Sequence, residues 1–178
     1  RIDEHLVDLL GRGGRNVLTA QMDGSLALWE ATSGKLVRSA GKTKTPLRAV
    51  QPGPDSNTVW WVTVGSLGLW DLTTGKNVRV FNNDDICRGM WGMGWVHLSA
   101  SPNGDWLAVG NRLYDANTGQ AITLGREDTF VRGWTSLSAV SPDGRTLLIE
   151  HQGRDDKLYT RADLWLIDTE PALAAQDA

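Results

Sequence analysis

Gly41-Lys42-Thr43, preceded by Ala40, is the most suggestive triplet of this chain. A Gly-Lys-Thr run can hold phosphate with backbone N–H groups and the lysine, but only with another glycine five positions before the Gly-Lys pair. Leu36 stands at that place, and no strand-to-helix pattern surrounds it. The triplet therefore reads as a turn or loop. Gly11-Arg12-Gly13-Gly14-Arg15 hints at a dinucleotide loop and fails similarly. Asn16 replaces the last glycine and no helix pattern follows, so this segment reads as a turn between two strands. His5, His97 and His151 are far apart and share no ligand-like spacing with Cys87. Asp84-Asp85 and Asp155-Asp156 are adjacent pairs whose side chains point apart, which suits solvated loops better than catalysis or calcium binding. No Gly-x-Ser-x-Gly elbow exists for a serine hydrolase. The expectation is a non-enzyme with no catalytic residue, no metal and no cofactor.

Composition narrows the partners. The chain has 178 residues, 40% hydrophobic and 22% charged, with a net charge of −3. That is ordinary for a globular domain, and it lacks the basic excess that nucleic acid or an anionic membrane calls for. One cysteine excludes an internal disulfide. No signal-peptide pattern and no apolar run of about 18 residues is present, so the expected compartment is the cytoplasm. The chain starts at Arg1 rather than Met, which reads as a processed piece or a fragment. Nine tryptophans require an explanation in packing or binding.

That explanation begins with repetition. Ser25–Val37 (SLALWEATSGKLV) is nearly rewritten at Ser66–Val78 (SLGLWDLTTGKNV), 41 residues on. Arg112–Ile122 (RLYDANTGQAI) is a third copy and Leu164–Ala172 (LWLIDTEPA) a worn fourth. Aligning Leu166-Ile167-Asp168 with Leu69-Trp70-Asp71 sets the anchors at Trp29, Trp70, Tyr114 and Ile167, with 41, 44 and 53 residues between them. Each unit reads as four short strands. Ser-Pro-Asn-Gly or Ser-Pro-Asp-Gly links the first two, and Thr-Gly or Ser-Gly links the last two; these residues supply the backbone angles that turns need. Strands of 4–7 residues at this spacing predict an all-β chain, and only the tail from 172 to 178 favours a helix. Trp29, Trp60 or Trp61, Trp70 and Trp106 fall in strands and are expected in the core.

Four antiparallel strands repeated about every 40–45 residues is the sequence form of a propeller blade. On the "LW" and "LWD" of the third strands and the "SPDG"-type turns, the whole chain resembles the WD-repeat β-propeller family. Several features depart from that pattern. No Gly-His pair precedes the first strands, and the tight-turn Asp appears only as Asp23, with Thr19 and Trp29 placed to be its polar partners. Val64 takes its place in the second unit, and the third turn is shortened. The resemblance is to a divergent, bacterial-type form. It implies structural roles for Thr19, Asp23, Trp29, Trp70, Asp71, Tyr114, Asp115 and Asp168. It also implies a propeller with about four blades in this chain, near residues 1–40, 46–81, 95–124 and 135–169, all in one partial domain. The fourth unit lacks a convincing fourth strand, so the chain is expected to be part of a larger propeller, or to close its ring with another chain, including a second copy.

Two connections stand out. Asn82–Trp95 and Gly125–Thr135 occupy equivalent positions and share acidic residues, an arginine, then Gly and Trp. The insertion Glu150–Ala162 extends the same face. Loops aligned on a rigid scaffold are where binding concentrates, and Trp and Arg are enriched at interface hot spots. Arg88, Trp91, Trp95, Arg126, Arg132 and Trp134 are the candidate partner-binding residues. Packing of Trp91, Trp95 and Trp134 beneath their own loops is the competing explanation. The resemblance implies a non-catalytic scaffold or sensor that binds protein partners or the remaining blades of a parent protein. The alternative is a propeller that takes a small molecule or metal in its central channel, with or without catalysis.

Overall fold

The computed structural model describes residues 6–10, 15–21, 23–84, 86–87, 96–110, 112–122, 134–141, 143, 146–152 and 160–166. All regular structure among them is β, and none of them is helical. Two compact units divide at Val96 and His97.

The first unit holds two four-stranded antiparallel sheets. One is β1 (Leu6–Leu10), β2 (Asn16–Gln21), β3 (Ser25–Glu30) and β4 (Leu36–Lys42). The other is β5 (Leu47–Pro52), β6 (Thr58–Thr63), β7 (Ser66–Asp71) and β8 (Lys76–Asn82). Each strand pairs with its sequence neighbour, in order. The second unit holds the four-stranded sheet β9 (Leu98–Ala100), β10 (Trp106–Val109), β11 (Arg112–Asp115), β12 (Ala121–Ile122). Its other sheet has three strands, β13 (Trp134–Val140), β14 (Thr146–Gln152) and β15 (Thr160–Leu166).

The repeated residues have repeated jobs. Asp71 Oδ1 accepts the N–H groups of Thr73 (2.6 Å) and Thr74 (3.1 Å), and Asp115 Oδ1 those of Asn117 and Thr118 (both 2.7 Å). Each carboxylate holds the bend into the next strand, and the bend closes on Gly75 (φ 68°) or Gly119 (φ 72°), in the left-handed region that glycine enters freely. The serine of the other turn works alike: Ser101 and Ser141 Oγ accept the N–H of Trp106 (3.1 Å) and Thr146 (2.9 Å).

Register gives the equivalences. Trp29 lies opposite Val17, Trp70 opposite Val59 and Tyr114 opposite Leu107. In the fourth sheet the residue opposite Leu147 is Trp165. The Ser141 turn puts Leu147 where Leu107 stands, so Trp165 holds the register place of the anchors, and not Ile167. Ile167 and Asp168 lie outside the described residues, as does the helix-favouring tail. Part of the expected insertion is strand, because Glu150 pairs with Ala162 and Gln152 with Thr160.

Packing in the first unit joins its two sheets. Leu18, Ala20 and Leu26 of the first form one buried cluster with Leu47, Val50, Val59, Trp61 and Trp70 of the second. The indoles of Trp61 and Trp70 meet with centroids 5.9 Å apart at 49°. Glycines make room for both rings: a Cβ on Gly68 would lie 2.4 Å from Trp61, and one on Gly41 2.5 Å from Trp70. In the second unit Trp106, Leu107, Leu113 and Tyr114 are buried. The expected core places of Trp60, Trp61, Trp70 and Trp106 are what the structure shows, whereas Trp29 is half-buried.

Candidate functional site

A cleft of about 220 Å³ opens in the first unit, between its two sheets. In an antiparallel meander the first and third turns share one end of the sheet. Here these are the turn Gly53–Asn57 and the bend at Leu72-Thr73, and both line the cleft. Asn82–Trp95, the connection singled out in the sequence, leaves from the other end, where Asn83 N–H donates to Gly65 O (3.1 Å) and Gly65 N–H to Ile86 O (3.1 Å).

The cleft has an apolar floor and polar walls. Leu18, Leu28, Val59 and Leu72 supply the floor, with Val37 at the mouth. Asn16 and Arg38 stand on the first sheet's side, and Asp55, Asn57 and Thr58 on the second's. Arg38 spans the gap, donating from Nη1 to Leu72 O (3.2 Å). Asp55 Oδ1 accepts the Asn57 N–H (2.7 Å), which shapes the wall as an Asx turn. Gly53 stands where the other turns have Ser101 and Ser141. A Cβ there would lie 2.2 Å from Thr58 Oγ1, so the threonine hydroxyl fills the space of the missing serine side chain. That hydroxyl is buried and has no hydrogen-bond partner among the described residues.

The edge strands repeat a second feature. Leu28 pairs with Arg38 and Trp29 with Leu36, which leaves Val37 as an extra bulged residue. Leu69 pairs with Arg79 and Trp70 with Asn77, leaving Val78 in the same place. Val37 and Val78 are 54% and 53% exposed, and Leu36 is 54% exposed.

At the turn after β2, the expected polar trio divides. Trp29 Nε1 donates to Thr19 Oγ1 (2.8 Å), and that hydroxyl donates to Ala27 O (3.3 Å). Asp23 does not join them. Its Oδ1 accepts from Ser25 N–H (2.9 Å) and Ser25 Oγ (2.6 Å), and its Oδ2 from Lys42 Nζ (3.0 Å). The Ser25 hydroxyl, then its N–H, then Lys42 hold the Asp23 carboxyl down at about 2. The N–H groups of Thr74 and Thr73 likewise keep Asp71 below the usual carboxylate range. Gly41 and Lys42 belong to β4, which is incompatible with a phosphate loop.

Of the expected partner-binding residues, Arg88, Trp91, Trp95, Arg126 and Arg132 lie outside the described residues, and Trp134 opens β13 opposite Gln152. Asp85, Asp155, Asp156 and His5 also lie outside them, while Asp84 and His97 are exposed. Cys87 is buried and burial pushes its thiol up to about 11, with Arg48 pulling weakly the other way. Such a thiol is a poor nucleophile. No group of three potential metal ligands occurs among the described residues, and no helix among them is long and apolar enough to cross a membrane.

Sequence reading missed the cleft. Its one sequence signal is the glycine at position 53, where the later turns carry serine. The chain matches no protein-family model and no curated protein.

Proposed function

We propose that this chain is a divergent WD-repeat-like β-propeller module, a non-catalytic scaffold that recognises protein partners through its loops. One observation carries the reading. Sheet after sheet keeps the same register around a large anchor residue, Trp29, Trp70, Tyr114 and Trp165, so one structural unit is used repeatedly. Within each unit the first strands of its two sheets are neighbours, β1 with β5 and β9 with β13, as blades gathered about an axis require. Units that cannot bury their own faces gain stability from such stacking. Asn82–Trp95 and Gly125–Thr135 connect successive sheets on this scaffold and carry the Trp and Arg types that dominate interface energetics.

The test uses the immobilised chain and a variant combining Trp91→Ala, Arg132→Ala and Trp134→Ala. Specific protein partners captured by the first and lost by the second, at equal folded content, support the reading. Equal capture by both removes the loop face from consideration.

A further inference from the structure

β8 is the last strand of its sheet, and its outer side has no neighbouring strand among the described residues. The last strands of the other four-stranded sheets make poor edges. β4 breaks register at Leu26/Ala27 and at Leu28/Trp29, and β12 has two residues. β8 breaks register once, at Val78, and then pairs regularly with β7 from Arg79 to Asn82. Hydrogen bonding alternates along an antiparallel pair. Asn83 N–H donates to Gly65 O (3.1 Å), so Phe81 and Arg79 also turn their backbone groups toward β7, while Val80 and Asn82 turn theirs outward. Val78 and Val80, 53% and 41% exposed, line this open row.

The residues along the edge select the occupant. From Lys76 to Asp84 the sequence is its own antiparallel complement. A second copy turned about Val80 sets Val80 against Val80 as a bonded pair, and Val78 against Asn82. Arg79 then faces Phe81, a pairing of guanidinium and ring that attracts. Lys76 comes level with Asp84 at both ends of the paired strands. Both of these residues are exposed. Asp71, which lies opposite Lys76 within the sheet, has its Oδ1 bonded to the Thr73 and Thr74 N–H groups. Neighbouring registers of the same bonding parity are worse. Centring on Arg79 opposes two guanidinium groups. Centring on Phe81 sets Val78 against Asp84 and Lys76 against Ile86, which is buried. One patch that complements itself is what a two-fold dimer requires.

We infer that a second copy of this chain docks on β8, the two β8 strands pairing antiparallel about Val80, with Lys76 of each copy against Asp84 of the other. So short an edge makes a small interface, and the dimer is a weak one that forms as concentration rises. Sedimentation equilibrium of the 178-residue chain, over a roughly hundredfold range of concentration, should show a monomer–dimer equilibrium. Lys76→Glu and Asp84→Lys each bring like charges together at both ends, and each should raise the dissociation constant about tenfold. Both changes on one chain should restore it. The two positions stand eight residues apart, about 26 Å along an extended chain, so they cannot rescue each other within a single copy. An unfolded variant could not regain the dimer either. Val80→Lys, at an exposed site, should abolish this dimer at equal folded content by circular dichroism. Trp91→Ala and Arg132→Ala should leave the constant unchanged, so this edge and the loop face are judged separately. A monomer at every concentration overturns the proposal. So does association that ignores Val80→Lys, association lost with the two loop variants, or a double reversal no tighter than the single ones.

Discussion

The Trp29 indole depends on a single hydroxyl. Its N–H is bonded to Thr19 Oγ1, which is itself spent on Ala27 O, so the three groups form a short relay across β2 and β3. Thr19→Val keeps the shape and removes both bonds. The expected loss is about 1–2 kcal/mol, because a half-buried donor is left without a partner. Urea unfolding followed by tryptophan emission measures it. Asp23 acts differently, since it is exposed and its effect appears only in acid. Its folded-state carboxyl, at about 2, is depressed below the ordinary value of 3.8, so the stability it contributes is present above about pH 4 and lost as pH falls toward 2. In Asp23→Asn the thermal midpoint should decline less steeply over that interval. The remaining slope would reflect other depressed carboxyls, such as Asp71.

Strands and turns were the part most readable from sequence, for a physical reason. Ser-Pro-Asn-Gly, Thr-Gly and alternating apolar residues each act locally, and a local cause leaves a local trace. The fourth anchor was harder. Matching acidic residues draws Asp168 onto Asp71, whereas pairing places Leu166 opposite Thr146, as Asp71 lies opposite Thr58. Here the hydrophobic pair Leu164-Trp165 is the truer marker, and Leu166 holds the register place of Asp71. Turn spacing alone cannot tell Ser25 from Thr19 as the partner of Asp23. The cleft was illegible because it arises from two sheets meeting, and its Asn and Thr residues resemble ordinary solvent-facing ones. Gly68 illustrates the same non-local dependence within β7. Its Cα is covered by the Trp61 indole, so Gly68→Ala must displace that ring and should cost about 1–3 kcal/mol in chemical denaturation. Trp61→Leu in the same background should relieve part of the additional loss.

At the scale of the molecule, the two sheets of the first unit share their burial, and strand edges without a neighbour are the places open to other chains. Among the described residues β15 is paired only with β14. Strand edges left in this state join other chains, and the apolar residues Leu36, Val37, Val78 and Val80 add to the tendency. In size-exclusion chromatography with light scattering, the 178-residue chain should elute with a mass above its 19.5 kDa monomer. A sharp monomer peak would contradict this.

Cys87 is a poor nucleophile, and its isolation makes it an internal timer. It is the chain's single sulfhydryl, and a thiol at about 11 is roughly a thousandth ionised at pH 8. An aromatic disulfide reagent can then modify it quickly only when the backbone beside Gly65 and Ile86 swings outward. The rate of colour release therefore counts those excursions with no engineered label. Mild urea should accelerate it well before global unfolding if the movement is confined to that corner, and only in step with global unfolding if the first unit opens all at once.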